Sequence, residues 1–250
     1  MLLAIDIGNT NISFGIFKAQ KLVRRFDIPT KSYSLNKIKS RLARFKLDDC
    51  IICSVVPKMT RCLQKDLKKF LSQPVYVLGR NLEVPIKNLY RFPKRVGQDR
   101  LVNAYSAVVK YGAPLIAIDF GTATTFDVVS KNKEYLGGMI LPGLEISLEA
   151  LSRHAALLPK IKLKAPDEFI GRDTQNSMLA GLIYGFAALT DELVRRIKKK
   201  IGRNAKVIAT GGNVSLVAKF CKNIDFIEKE LTLKGLCLIY KSLRKKNLDK

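Results

Sequence analysis

Residues 1–17, MLLAIDIGNTNISFGIF, consist of two apolar stretches separated by a short polar turn. The first stretch contains Asp6 and stops at Gly8, and the second alternates apolar and polar residues from Ile12 to Ile16. Alternation with a period of two predicts strands, so the segment predicts a strand, a tight turn and a return strand. The carboxylate at the end of the first strand requires a partner, because burying an unpaired charge is costly.

The same pattern recurs in residues 115–129, LIAIDFGTATTFDVV, where Asp119 takes the place of Asp6. The offset of 113 residues is close to half of a 250-residue chain. A repeat at this spacing predicts two halves of similar architecture, 1–112 and 113–250. Predicted strands and helices alternate throughout, and we therefore expect an α/β fold.

Hydrophobic periodicity predicts the elements outside the two repeats. The predicted helices span 58–71, 97–111, 144–156, 173–200 and 232–243, and the predicted strands span 50–56, 75–78, 207–209 and 224–227. The helix over 58–71 should place Met59, Leu63, Leu67 and Phe70 on one face.

The composition is strongly basic, with 45 Lys and Arg against 21 Asp and Glu and a net charge of +24. Such a balance favours anionic partners. The basic residues are spread along the chain, with short clusters only at 195–200 and 244–246, and no stretch interleaves aromatic residues with arginine as a single-strand binder would. We therefore expect a solvated basic surface and no nucleic-acid partner.

The chain shows no targeting signal and no stretch of membrane-spanning length, so we expect a cytoplasmic protein without a membrane partner. Five cysteines, an odd number, indicate reduced thiols. Cys50 and Cys53 have the spacing of a redox or zinc pair, but they lie in a predicted buried strand and no second pair exists. His154 is the only histidine, which excludes mechanisms that need two imidazoles.

Two common phosphate-binding motifs, G-x-x-x-x-G-K-[ST] and G-x-G-x-x-G, are absent from the sequence. The turn at Gly8 offers another way to hold phosphate, because a glycine lets backbone amides approach closely. Asn9 tolerates positive φ, and Asp6 can hold hydrated Mg²⁺ beside the phosphates. The alternative is an ordinary hairpin. A Gly-Gly pair after Thr210 suits close approach to an adenosine, although it is also typical of a simple turn.

Six motifs follow one another in order: Asp6–Thr10, Gly97–Arg100, Asp119–Thr122, Gly137–Gly143, Gly171–Thr174 and Thr210–Gly212. Together they resemble the type III pantothenate kinase family, within the superfamily that contains acetate kinase, hexokinase and actin. The resemblance implies two tandem RNase H-like (actin-like ATPase) halves with an ATP cleft between them. It also implies ATP-dependent phosphorylation of pantothenate to 4'-phosphopantothenate, the first step of coenzyme A biosynthesis.

The resemblance assigns roles to individual residues. ATP would be bound by Asp6, Ile7, Gly8, Asn9, Thr10, Asn11, Ile12, Ser13 and Thr122. Pantothenate would be bound by Tyr90, Gly97, Gln98, Asp99, Arg100 and Thr174. Asp99 would be the general base, Asp119 would bind a monovalent cation (K⁺ or NH₄⁺), and Asp6 would hold Mg²⁺ through water. The family's homodimer would bring Thr174 of one chain to the other chain's Asp99.

The residues themselves agree with these roles but leave alternatives. Asp99 lies in a predicted first helical turn, where the helix dipole favours its ionised form, and Arg100 can fork onto a carboxylate. Both could instead be plain helix-start charges. Tyr90, beside prolines, could simply pack, and Thr174 could cap a helix after Asp173.

The long helix over 173–200 carries Gly181 and Gly185, small residues that allow a partner helix to approach closely, with Tyr184 and Phe186 nearby. These residues favour a dimer contact, and the alternative is packing within one chain. Two other functions stay open. One is a regulatory homologue that acts as an accessory transcription factor, and the other is a different small-acid or sugar kinase of the superfamily.

Overall fold

The computed structural model describes residues 1–69, 71 and 75–248, with the backbone alone at 245–248. By packing, the chain divides into two compact units. The first comprises Met1–Ile86, Arg91–Ser106 and Glu230–Lys250, and the second comprises Lys87–Tyr90 and Ala107–Lys229. The division of the sequence at 112 follows the repeat and stays a prediction.

The strands are β1 (Leu2–Ile7), β2 (Asn11–Lys18), β3 (Lys21–Pro29), β4 (Asp49–Ser54), β5 (Val75–Val77), β6 (Lys87–Asn88), β7 (Leu115–Phe120), β8 (Ala123–Val129), β9 (Glu134–Pro142), β10 (Lys206–Thr210) and β11 (Phe226–Ile227). The helices are α1 (Leu35–Leu42), α2 (Pro57–Leu67), α3 (Gln98–Tyr111), α4 (Leu144–His154), α5 (Thr174–Ile201), α6 (Val214–Val217) and α7 (Leu231–Leu248). Single 3-10 turns lie at Thr30–Ser32, Pro93–Arg95 and Ala218–Phe220.

The sheet of the first unit has the strand order β3-β2-β1-β4-β5. β1 pairs antiparallel with β2, which confirms the predicted strand, turn and return strand. β1 also pairs in parallel with β4, and β4 in parallel with β5. In this register Asp6 lies opposite Ser13 on one side and beside Cys53 on the other.

The sheet of the second unit has the order β11-β10-β7-β8-β9-β6. Five of its strands, β9-β8-β7-β10-β11, repeat the order and the directions of the first sheet. Asp119 pairs with Thr125 and Thr210, as Asp6 pairs with Ser13 and Cys53. The predicted α/β class with two similar halves is therefore confirmed.

The core of the first unit lies between its sheet and helices α1 and α2, where Leu63 and Leu67 are completely buried. Each such side chain contributes about 1.5–3 kcal/mol by leaving water. Phe70, predicted for the same face of α2, lies outside the described residues. α7, the last helix, packs against β1, β2 and β4 of this unit.

In the second unit, α4 and α5 cover the sheet. α5 begins where predicted, because Asp173 caps it, and the amide of Asn176 donates to the Asp173 carboxylate at 2.8 Å. By length and composition α5 also passes as a membrane span, with a mean hydropathy of 1.3 over its most apolar window. Its apolar residues include Met178, Ile183 and Val194, which are buried in the core of this unit. A core helix of a soluble protein passes the same test.

No element is predicted from the sequence for β3 and α1, and the segment of β9 is predicted only as a glycine motif. β3 is an edge strand with the sequence KLVRRFDIP, and most of its side chains are exposed. It therefore lacks the alternation that marks a half-buried strand. α1 has only two buried residues, Ile38 and Leu42, too few for a clear helical period.

Candidate active site

The turn between β1 and β2 exposes polar residues predicted to contact phosphates. Asn9 and Asn11 are exposed, and the amide of Gly8 donates to the carbonyl of Asn11 at 2.9 Å. Asn9 does not use its tolerance for positive φ, since the described non-glycine residues with positive φ are Ala19 and Lys133. The turn is thus both a closed hairpin and a polar, accessible loop.

Two members of the predicted ATP-binding set, Ile7 and Ile12, are completely buried in the hydrophobic core. Their side chains hold the hairpin to the sheet, and only their backbone could contact a nucleotide. Ser13 is half-buried and pairs with Asp6 across the two strands.

The carboxylates of Asp6 and Asp99 both influence the buried thiol of Cys53. Cys53 lies beside Asp6 on the neighbouring strand and is completely buried. Burial, more than any other cause, raises the pKa of the Cys53 thiol well above its ordinary value; the negative charges of Asp6 and Asp99 and a hydrogen bond with Asp6 raise it further. Asp6 and Asp99 of the first unit are therefore both close enough to Cys53 to affect its thiol electrostatically, and the thiol stays protonated.

Asp99 lies in the first turn of α3, as predicted. Its Oδ1 accepts a hydrogen bond from the Arg100 amide at 2.9 Å, and a Cβ at Gly97 would lie only 2.4 Å from the same oxygen. Burial raises the pKa of Asp99 above its ordinary value, although the amide and the charge of Arg100 oppose this shift. Burial thus outweighs the hydrogen bonds and the positive charge that favour the ionised form, and the carboxylate becomes a stronger base.

The two residues that flank Asp99, Gln98 and Arg100, also place polar atoms away from solvent. Arg100 is only 7% exposed. The Oε1 atom of Gln98 is buried and has no hydrogen-bond partner among the described residues. The side chain of Gln98 also packs against Gly79, where a Cβ would lie 3.0 Å from it. A buried polar atom without a protein partner is typical of a site that binds water or a ligand.

Asp119 is the next-to-last residue of β7 in the second unit and is half-buried. Two glycines pack around its carboxylate: a Cβ at Gly211 would lie 2.4 Å from Oδ1, and a Cβ at Gly121 would lie 3.2 Å from it. Gly211 also has φ +99°, a conformation that side chains disfavour. Of the pair predicted for adenosine, Gly211 therefore contacts Asp119, whereas a Cβ at Gly212 would meet nothing within 4 Å.

Tyr90 is half-buried and packs within the second unit. Its amide donates to Asn88 Oδ1 at 3.0 Å, and a Cβ at Gly137 would lie 3.2 Å from its ring. The ring centroid lies 6.5 Å from that of Tyr135, whose hydroxyl donates to the buried Asp127 at 2.8 Å. The packing alternative for Tyr90 is therefore correct for one side of its ring.

Thr174 is the exposed first residue of α5. The cap of this helix is Asp173, so the alternative that Thr174 caps it is wrong. Hydrogen bonds from the amide and side chain of Asn176 lower the pKa of Asp173. Thr174 lines an open cavity of about 670 Å³ together with Leu157, Pro159, Lys164, Asp167, Asp173, Gln175 and Asn176.

A family model described as type III pantothenate kinase matches residues 2–196. The chain belongs to the type III pantothenate kinase family. The type III pantothenate kinase of Citrifermentans bemidjiense is 43% identical, over 96% of this chain and 98% of its own length. That of Agathobacter rectalis is 37% identical, over 99% of this chain and 100% of its own.

Solved structures share the fold. A Campylobacter jejuni protein of the Baf family of transcriptional activators superposes with a TM-score of 0.64 at 23% identity, covering 97% of this chain and 99% of its own. A Listeria monocytogenes protein assigned as an N-acetylmannosamine kinase superposes with a TM-score of 0.56 at 12% identity, with the same coverage. At these identities the likeness concerns the fold alone.

The residues that the family resemblance assigns are divided between the units. The first unit holds Asp6 to Ser13 and Gly97 to Arg100. The second holds Tyr90, Asp119, the exposed Thr122 and Thr174.

No group of three or more metal-ligating side chains occurs within the described ranges. A kinase of this family uses ATP with a divalent metal, and Mg²⁺ typically keeps several waters and binds one or two carboxylates. The half-buried Asp6 beside the accessible turn fits that pattern. Cys50 and Cys53 do not form a zinc pair, because an odd spacing on a strand directs their side chains to opposite faces of the sheet.

Sequence reasoning missed two residues at this site. Cys53 was considered only as a metal or redox ligand, although its strand pairing places it beside Asp6. Thr30 was not considered, and it hydrogen-bonds to the turn between β1 and β2. A short polar residue at the end of a basic, exposed strand gave no signal in the sequence.

Proposed function

We propose that the protein transfers the γ-phosphoryl group of ATP to the 4'-hydroxyl group of pantothenate, in the cytoplasm. Membership of the type III pantothenate kinase family supports pantothenate as the substrate. The observation that carries the chemistry is the buried carboxylate of Asp99, with a raised pKa, at the start of α3. Free thiols at all five cysteines are in keeping with a reducing compartment.

In the proposed reaction, the pantothenate hydroxyl oxygen attacks the γ-phosphorus as the bond to ADP breaks. Asp99 accepts the hydroxyl proton, and its raised pKa makes this transfer more favourable near neutral pH. Arg100 binds the substrate carboxylate. Gly97, Gln98, Tyr90 and Thr174 are the further proposed substrate contacts, and the buried Oε1 of Gln98 supports a ligand at this position.

We assign ATP binding to the turn that follows Asp6, with Thr122 as a further contact. The exposed polar turn supports this assignment, because backbone amides in such turns bind phosphate oxygens. Asp6 would hold Mg²⁺ through water, and the ion would neutralise charge on the phosphates. Asp119 would hold K⁺ or NH₄⁺, and the close backbone of Gly121 and Gly211 around its carboxylate supports a small cation site.

We also propose a homodimer in which α5 contributes to the interface. A Cβ at Gly181 or at Gly185 would meet nothing within 4 Å, so the alternative that this pair serves packing within the chain has no support among the described residues. The second unit also carries exposed apolar side chains that a partner chain could cover, notably Ile140, Leu157, Phe169 and Ile170. The nearby ring of Tyr184 instead packs within the chain, edge-on to Phe169 and Phe220.

One observation favours a second candidate, a regulator that binds nucleic acid. Residues 18–46 carry ten Lys and Arg against one acidic residue, Asp27, and all ten are exposed. They are Lys18, Lys21, Arg24, Arg25, Lys31, Lys37, Lys39, Arg41, Arg44 and Lys46. Charge on this scale attracts phosphate backbones, although basic residues on an edge strand also prevent aggregation.

An enzymatic assay separates these candidates. ADP formation is measured with ATP, Mg²⁺ and K⁺, and with pantothenate against a panel of small hydroxy acids and sugars. The proposal expects pantothenate to be preferred. Turnover of another acid or sugar would favour a different kinase, and absent turnover with salt-sensitive DNA binding would favour the regulator.

A further inference from the structure

Thr30 makes two hydrogen bonds to the turn proposed to bind the ATP phosphates. It follows the last residue of β3 and is only 7% exposed. Its hydroxyl donates to the carbonyl of Gly8 at 2.8 Å, and its amide donates to the carbonyl of Thr10 at 2.9 Å. One residue therefore fixes two of the peptide groups of the turn.

Fixing a carbonyl also fixes the amide that follows it, because the peptide group is planar and its C=O and N–H point in opposite directions. The Gly8 carbonyl shares its plane with the Asn9 amide, and the Thr10 carbonyl shares its plane with the Asn11 amide. Thr30 thus determines where both amides point. The amide of Gly8 is already engaged with the carbonyl of Asn11.

The second half of the repeat makes the same backbone contact without the hydroxyl. Gly143 lies 113 residues after Thr30, the offset that relates Asp119 to Asp6. Its amide donates to the carbonyl of Thr122 at 3.1 Å, and Thr122 directly precedes β8 as Thr10 directly precedes β2. A Cβ at Gly143 would lie 2.3 Å from that carbonyl oxygen, so no side chain fits there. Of the two turns, only the one between β1 and β2 therefore receives a hydroxyl hydrogen bond from this position.

We propose that Thr30 is a positioning residue for the phosphate-binding turn, and that its hydroxyl orients the Asn9 amide toward the ATP phosphates. This inference rests on the proposed function. It predicts that Thr30 acts on nucleotide affinity and leaves pantothenate binding unchanged, because both hydrogen bonds that Thr30 donates go to the turn.

Removal of the hydroxyl tests the role. Thr30→Val keeps the shape and the backbone amide, and we expect the Kd and the KM for ATP to rise about five- to tenfold, the effect of one buried hydrogen bond. Thr30→Ser keeps the hydroxyl and should restore the wild-type values. The KM for pantothenate should not change in either variant.

A matched control removes a hydroxyl elsewhere. Thr190 is a completely buried threonine of α5, and Thr190→Val should leave the ATP affinity unchanged. ATP binding is measured by calorimetry without pantothenate, and folding is measured by circular dichroism and thermal melting. If Thr30→Val does not fold, Thr30→Cys replaces it, and its weaker donor should give an intermediate ATP affinity.

The outcomes separate this inference from the proposed function. An unchanged Kd for ATP in folded Thr30→Val or Thr30→Cys, with only a lower melting temperature, would overturn the positioning role while the kinase proposal stands. Wild-type protein that binds ATP but phosphorylates another acid would overturn the proposed substrate while the role of Thr30 stands. Wild-type protein that does not bind ATP would overturn both.

Discussion

Replacement of Asp99 by asparagine separates the chemistry from the fold. Loss of a general base lowers kcat by about 10²- to 10⁴-fold, which corresponds to about 2.7–5.4 kcal/mol. We expect the upper half of this range, because burial raises the pKa of Asp99 and makes it a better base. A loose transition state with late proton transfer would give the lower half.

The Asp99→Asn variant should fold at least as well as the wild type. Asparagine keeps the Oδ1 acceptor for the Arg100 amide. A carboxyl group whose pKa is raised by folding stabilises the folded state when protonated, and this stability is lost as the pH rises through the raised pKa. The neutral amide removes that loss, so the melting temperature near neutral pH should be unchanged or higher.

The assay compares kcat, the KM values and the melting temperature of the wild type and of Asp99→Asn over a range of pH. In the wild type, kcat/KM should fall as the pH drops through the raised pKa of Asp99, and the variant should lose this acid limb. Gly97→Ala is the matched variant that moves the Asp99 carboxylate without removing it, because the new Cβ would lie 2.4 Å from Asp99 Oδ1 and displace it. Near-normal turnover of a folded Asp99→Asn protein would refute the assignment of the base.

Two further substitutions and one labelling experiment have defined outcomes. Gly211→Ala forces a side chain into φ +99° and against Asp119, so the free energy of unfolding from thermal melts should fall by about 1–3 kcal/mol. Activation by K⁺ should also weaken, and full activation in a stable variant would contradict the cation site. Gly185→Leu should shift sedimentation toward the monomer, whereas Ser40→Leu, on the exposed face of α1, should not; a dimer that survives Gly185→Leu would count against the α5 interface. Maleimide should label the exposed Cys62 in the native protein, and mass spectrometry that finds rapid labelling of the completely buried cysteines would contradict the packing.

The repeated hairpins could be predicted because their signals are local. Alternating apolar residues, a glycine turn and a carboxylate all lie within each stretch of about a dozen residues, and their recurrence at Asp119 predicted the second sheet. The start of α5 was equally local, since Asp173 is a favoured cap residue. These features depend on neighbours in sequence.

The remaining features depend on distant contacts. The pKa of Asp99 is set by burial, which the first turn of a helix does not reveal. Thr30 and Gly8 are 22 residues apart, and Cys53 meets Asp6 only through the parallel pairing of β1 with β4. β3 escaped prediction because an exposed, basic edge strand has no buried face to mark it.

The most direct test of the proposed function is the identity of the reaction product. Wild-type protein is incubated with ATP, Mg²⁺, K⁺ and pantothenate, and the products are analysed by mass spectrometry and phosphorus NMR. We expect pantothenate to gain one phosphoryl group as an ester at its 4'-hydroxyl, with one ADP formed for each ester. Unmodified pantothenate, with ATP either intact or only hydrolysed, would contradict the proposal.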